Sequence, residues 1–265
     1  MQNTFLNQYG VIELIGDNAL TFLQGQITCD VRKLDAQPMI RGAFCNLKGR
    51  ILAMADVIRW QNIMLVMHQE VLEPTLSSLS KIAPLSQVKV QLRDDLQVIG
   101  VVSTDEPQEA LFAYAIDDNR WIAFIHTNRA TTVRDNDLQW HCLDLLARRF
   151  DITASTRGLF MPHRLDLQLT DVLSFDKGCY KGQEIIARTH YKATLKHHLE
   201  LLKVPYTKSL IAGAKIFHQE SQQELGEIID VAKIDTASAY ALVSILKIHP
   251  ETGLIENSSD SISFV

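Results

Sequence analysis

Apolar and polar positions alternate over Tyr9–Ile15, the pattern of a half-buried strand. Asp17 then offers an N-cap for a short helix that runs to Gln24 and is ended by Gly25. Apolar, β-rich runs follow at Met39–Cys45, Ile51–Trp60 and Ile63–His68. The spacing next predicts a helix over Val71–Ile82, with Pro74 tolerable only in its first turn. Strands are expected at Val88–Leu92, Gln97–Val102, Leu111–Ile116 and Trp121–Ile125, with Ser103–Ala110 as a surface loop. Strand, helix and strands in this order predict an α+β module rather than alternating βαβ units.

Asn136–Arg149 carries a helical stripe of Leu138, Cys142, Leu145 and Leu146, spaced i, i+4, i+7, i+8. At about 100° per residue Trp140 falls nearly opposite that stripe. It must therefore be covered by another domain, a partner or a ligand, and a domain interface is the favoured cover. Beyond Lys196 the pattern turns to strands at Leu199–Val204, Ala214–His218, Leu225–Val231 and Ala237–Leu246. With Gly213 and Gly226 at turns, these read as a small β-barrel or sandwich.

Composition adds exclusions. The 265 residues are 46% hydrophobic and 22% charged, as expected of a globular protein with a real core. A net charge of −5 argues against a general nucleic-acid-binding surface, because neutralising phosphates takes concentrated Lys and Arg. No direct nucleic-acid partner is expected, although a local basic pocket is compatible with that balance. Neither a signal-peptide pattern nor an apolar run of spanning length is visible, so a cytoplasmic protein without membrane contact is expected.

Cys29, Cys45, Cys142 and Cys179 form no CxxC pair and no His/Cys cluster at zinc spacing. In a reducing compartment they read as free thiols. The first three sit among apolar neighbours, as small buried hydrophobes do. Cys179 differs. It lies in Asp176-Lys177-Gly178-Cys179-Tyr180-Lys181-Gly182-Gln183-Glu184, ahead of a helical segment that includes Arg188. Gly178 and Gly182 bracket a tight turn, and the cysteine precedes a helix N-terminus between two lysines. That setting favours thiolate. The plainer reading, a buried cysteine in a glycine-rich turn, is disfavoured because burial would strand Lys177 and Lys181.

From Asp176 to His198 five Lys/Arg face two acids, a positive segment in a negative chain. It reads either as a solvated face or as a site for a carboxylate-bearing ligand. His197 and His198 lack metal-ligand companions at a recognisable spacing and read as surface residues, and no metal site is expected. GxSxG, HExxH and GxxxxGK[ST] patterns are absent from the sequence. Asp166 and Asp171 are a weak candidate for paired acids.

Lys177-Gly178-Cys179-Tyr180-x-Gly182-Gln183-Glu184 resembles the KGCYxGQE signature of the YgfZ family of folate-binding, iron–sulfur-related proteins. Phe22-Leu23-Gln24-Gly25-Gln26-Ile27-Thr28-x-Asp30 and Asn46-Leu47-Lys48-Gly49-Arg50-Ile51-Leu52 are similar to the family's N-terminal pattern. So is the approach through Phe160-Met161-Pro162, Leu167 and Ser174-Phe175. The family is related to the aminomethyltransferase (T-protein) of glycine cleavage. The resemblance thus implies an α+β, three-domain T-protein-like ring around a central folate channel, with a C-terminal β-barrel. Residues 1–45 plus 135–192 would form the N-terminal folate-binding domain, 46–134 an inserted α+β domain, and 193–265 the barrel.

The resemblance further implies tetrahydrofolate as cofactor, iron–sulfur client or assembly proteins as partners, and a role in making or repairing iron–sulfur enzymes, tRNA-modifying ones included. Cys179 is then the functional nucleophile or transient cluster ligand. Trp140 and Tyr9 are the implied pteridine-stacking aromatics. Gly178, Tyr180, Gly182, Gln183 and Glu184 belong to the same binding segment, and the charges of Lys177, Lys181 and Arg188 suit the glutamyl carboxylates. Where the transferases carry an Asp pair, this chain has Ala53 and Met54, with Asp56 nearby. Neither replacement can exchange a proton, which argues against glycine cleavage. A folate-dependent one-carbon transferase and a binding scaffold with a structural cysteine remain as alternatives.

Overall fold

The computed structural model describes residues 2–127 and 137–264. In chain order it begins with β1 (Gln2–Phe5), β2 (Tyr9–Ile15), α1 (Ala19–Gln24), β3 (Met39–Cys45), β4 (Ile51–Trp60), β5 (Asn62–His68) and α2 (Gln69–Ser80). Next come β6 (Lys89–Leu92), β7 (Leu96–Val102), β8 (Phe112–Asp117), β9 (Arg120–His126), α3 (Asp137–Leu146) and α4 (Gln183–Lys192). The chain closes with β10 (His197–Pro205), β11 (Lys215–Phe217), β12 (Glu224–Lys233), β13 (Ser238–Leu246), β14 (Thr252–Ile255) and β15 (Ser261–Ser263).

Strands β3-β4-β5-β2-β6 make one antiparallel sheet and β1-β7-β9-β8 a second. β4 shows why the first sheet reads as near-continuous apolar runs: it is buried on both faces. Ala53, Ala55 and Val57 join Leu23, Leu65, Val71 and Leu79 under α1 and α2. Ile58, Met64 and Val66 join Val98, Tyr114, Ile122, Phe124 and Trp140 beneath the second sheet. The expected boundary between residues 45 and 46 falls inside the β3–β4 hairpin of this first sheet. The boundary at 134/135 and the helix start at Asn136 lie outside the described residues.

Helix α2 starts two residues before the predicted position, and Pro74 lies well inside it. The buried face of Val71, Leu72, Thr75 and Leu79 anchors the helix despite the backbone bond that proline cannot make.

The last sheet runs β10-β13-β12-β11-β14-β15, and its end strands β10 and β15 approach each other, nearly closing a barrel. Leu202, Val204, Ile216, Ile228, Val243 and Ile245 fill its interior. Strand β12 has a register shift between Ile228 and Asp230, a bulge that re-aims the neighbouring side chains. Among the described residues no helix is long and apolar enough to cross a membrane.

Candidate functional site

The cysteine segment docks against two turns from the N-terminal part of the chain. Gly182 is the N-cap of α4 with φ +88°, and a Cβ there would meet the Asn46 carbonyl oxygen at 2.5 Å. Only glycine fits that backbone so close to the β3–β4 turn. On the other side, the Lys181 amide donates to the Gly25 carbonyl at 3.2 Å. The Tyr180 amide donates to Gln183 Oε1 at 3.2 Å, and the Tyr180 ring is buried with Cys45, Ile51 and Ile186. Cys179 thus stands exposed on a loop tied down on both sides, and Gly178 next to it has no atom within contact range of a would-be Cβ.

Lys177 corrects one expectation. It is buried rather than flanking the thiol in solvent, and its ammonium donates to the carbonyls of Ile27 (2.6 Å) and Cys29 (2.7 Å). Burial pushes its pKa down to about 8. The lysine fastens the cysteine loop to the chain after α1 and is not free to meet a ligand carboxylate. Lys181 is half-buried, while Glu184 and Arg188 are exposed on α4.

The other thiols fit the plainer reading. Cys29 and Cys45 are buried, and burial lifts both pKa values to about 12. Cys142 is half-buried, its thiol 3.2 Å from the Lys233 carbonyl oxygen.

A cavity of about 230 Å³ lies elsewhere, where β2, α3, the stretch after α3 and β12 converge. Its lining includes Gln8, Tyr9, His141, Asp144, Arg149 and Asp230. Tyr9 donates through its hydroxyl to Asp151 at 2.6 Å, and His141 Nε2 lies 3.0 Å from Asp230 Oδ1. Burial lifts the Asp144 carboxyl to about 6, while its ion pair with Arg120 (2.8 Å) pulls the other way.

Behind the wall, Arg41 bridges Asp56 (2.7 Å) and Asp151 (2.6 Å), and Arg149 reaches the second Asp56 oxygen at 2.5 Å. Tyr114 also donates to Asp56, at 2.9 Å. Burial raises the Asp56 pKa, but the two guanidiniums outweigh it and hold the carboxyl below its usual range. The buried charges are paired, as buried charges must be.

The chain has relatives over most of its length. Among protein-family models none matches. An uncharacterized protein of Haemophilus influenzae is 30% identical over 236 residues, covering 87% of this chain and 84% of the relative. The tRNA-modifying protein YgfZ of Photobacterium profundum is 30% identical over 235 residues, 76% of this chain and 71% of the relative. The chain belongs to the YgfZ family. A crystal structure of the glycine cleavage system aminomethyltransferase T from Bartonella henselae superposes with a TM-score of 0.76 at 15% identity. It covers 99% of this chain and 83% of that one, so this YgfZ-family protein has the T-protein fold.

With the YgfZ family established, the expected site residues fall into three places. Cys179, Gly178, Tyr180, Lys181, Gly182, Gln183, Glu184 and Arg188 form the docked loop and α4, and none of them lines the cavity. Tyr9 is on the cavity wall. Trp140 is in the core, 1% exposed, its ring against Gly100 and 5.3 Å beneath the Arg120 guanidinium. Those neighbours leave no open ring face for a pteridine. Trp140 instead anchors α3, the helix that brings His141 and Asp144 to the cavity. Gln8, His141, Asp144 and Asp230 escaped sequence reasoning because the last three are each a lone polar residue between apolar neighbours and Gln8 sits in a polar turn with Asn7.

Proposed function

We propose that this YgfZ-family protein binds tetrahydrofolate and supports the assembly or repair of iron–sulfur enzymes, tRNA-modifying ones among them, through Cys179. The observation that carries the reading is the exposure of Cys179 on a loop fastened at Gly182 and Lys181 while Cys29 and Cys45 are buried. A thiolate is the soft ligand that iron–sulfur clusters use. One cysteine cannot complete a cluster site, so any cluster would be shared with a client protein or with exogenous thiols. The relative's name, tRNA-modifying protein, supports tRNA modification as the process served. The cytoplasm keeps such a thiol reduced.

For folate, the cavity beside Tyr9 is the favoured place. At about 230 Å³ it is below the roughly 300 Å³ at which drug-sized pockets begin, so it suits a ring system with the remainder of the ligand outside. A pteridine edge presents N–H donors. Gln8 Oε1, buried without a partner, and the carboxylates of Asp144 and Asp230 supply acceptors. Asp56, the acid near the positions where the transferases have theirs, is locked between Arg41 and Arg149. That supports an accessory role over one-carbon transfer.

Two measurements test the reading separately. Titration calorimetry with tetrahydrofolate on the wild-type protein should give saturable binding, and a well-folded protein that binds none removes folate from the account. In cells, Cys179→Ala should abolish support of an iron–sulfur reporter enzyme while the protein accumulates normally. Full reporter activity with that variant would sink the role of the thiol.

A further inference from the structure

The interior-facing row of β10 begins with His198 and Glu200 and continues with Leu202 and Val204, which pack inside the barrel. Side chains two apart share a face of a strand, so the imidazole and the carboxylate stand at the end of an otherwise apolar row. His249, from the loop between β13 and β14, closes on them. His198 Nε2 is 3.0 Å and His249 Nε2 is 3.6 Å from the same oxygen, Oε1 of Glu200. All three donor atoms lie within 4.8 Å of one another.

His249 Nδ1 is 2.9 Å from the Pro250 carbonyl oxygen, which can only accept, so Nδ1 is the donor in this contact and Nε2 is the ring nitrogen turned to Glu200. Nε2 stands 3.6 Å from the Glu200 oxygen, a separation that a metal ion held by both atoms would satisfy. The second carboxylate oxygen, Glu200 Oε2, is buried without a partner, a costly state for an anion.

We infer that His198, Glu200 and His249 form a binding site for a divalent transition-metal ion of the zinc or iron(II) class. Two imidazole nitrogens and one carboxylate oxygen are the donor set of such ions, whereas magnesium and calcium take oxygen. Metal–ligand bonds of about 2.0–2.2 Å put tetrahedral donor atoms roughly 3.3–3.6 Å apart, a range that the His249 separation of 3.6 Å meets and the His198 separation of 3.0 Å falls a little short of. The bond from His249 Nδ1 to a backbone carbonyl is the supporting contact that orients a ligating imidazole. Three protein ligands leave a coordination position for water or a further ligand. The ion would tie the β13–β14 loop to β10.

The test uses the full chain with Cys179→Ser, so that the exposed thiol does not compete, stripped of metal by chelator. Zinc titrated against a chromophoric chelator should bind at one ion per chain. Glu200→Gln and His249→Ala should each weaken it by at least about 100-fold, the upper end of what loss of a supporting contact alone costs. Cobalt(II) added to the chain with all three ligands intact should give visible bands of nitrogen and oxygen ligation, a readout that does not depend on whether the variants fold. Absence of stoichiometric zinc binding, unchanged affinity in both variants, or cobalt bands dominated by thiolate charge transfer would each overturn the site.

Discussion

A methyl group at residue 182 would stand 2.5 Å from the carbonyl oxygen of Asn46. Gly182 also holds φ at +88°, so an alanine there meets backbone strain and a collision together. The loop that presents Cys179 is fastened at this point to the β3–β4 turn. Gly182→Ala should lower stability by about 1–3 kcal/mol and change the rate at which Cys179 reacts with a thiol reagent. Thermal unfolding and thiol kinetics on the same preparation check both. Unchanged values in both would mean that the loop is not held through Gly182.

Lys177 is the second fastening. Burial holds its pKa at about 8, against 10.5 for an ordinary lysine. Between those values the unfolded chain holds a proton that the folded chain has released. Stability attributable to this residue therefore rises with pH from about 8 to 10.5 and is lowest below that window. Lys177→Met removes the titration and leaves the Ile27 and Cys29 carbonyls without their donor, a loss of about 1–3 kcal/mol. Urea midpoints of both proteins from pH 7.5 to 10 should show wild type gaining on the variant as pH rises. A constant difference would show that the amine titrates as it does in water.

Strands came through in the sequence wherever burial left long apolar, β-branched runs, as over Ile51–Trp60. The short strands Thr252–Ile255 and Ser261–Ser263 did not, because they take their partners from the barrel edge rather than from their own pattern. Helix α3 misled in an instructive way. Leu138 and Leu146, two members of its apparent stripe, are 60% and 51% exposed. The inward residues include Trp140, Asp144 and Leu145, and a hydrophobic count passes over the aspartate because its partner, Arg120, is remote in sequence. The cysteine motif was legible because its glycines and its thiol are adjacent in the chain. The cavity was not, since Gln8, His141 and Asp230 meet only after three parts of the chain have folded.

Trp140 and Tyr9 separate a structural effect from a binding effect. Trp140 is fully enclosed with its indole nitrogen unpartnered, so Trp140→Ala leaves a large void and should cost about 3–5 kcal/mol. Any loss of folate binding in that variant would follow from a displaced α3. Tyr9→Phe removes one hydroxyl from the cavity wall, while Asp151 keeps its bond to Arg41. It should leave the fold intact and weaken tetrahydrofolate binding. Calorimetry on folded Tyr9→Phe showing wild-type affinity would remove the Tyr9 wall from the proposed site.

The four cysteines make the sharpest comparison, because their settings differ while their chemistry does not. Thiolate is the reacting species, and burial raises the pKa of Cys29 and Cys45 to about 12. Burial also raises that of Cys142, which is half-covered beside the Lys233 carbonyl. Cys179 has neither cover nor a neighbouring side chain at Gly178 to shield it. Brief alkylation with iodoacetamide at neutral pH, followed by peptide mass mapping, should therefore modify Cys179 first and nearly alone, and all four residues in urea. Equal labelling of Cys142 would show that partial exposure suffices for reaction. The glycine-bracketed loop would then confer nothing special on its thiol, and the proposed function would lose the observation on which it rests.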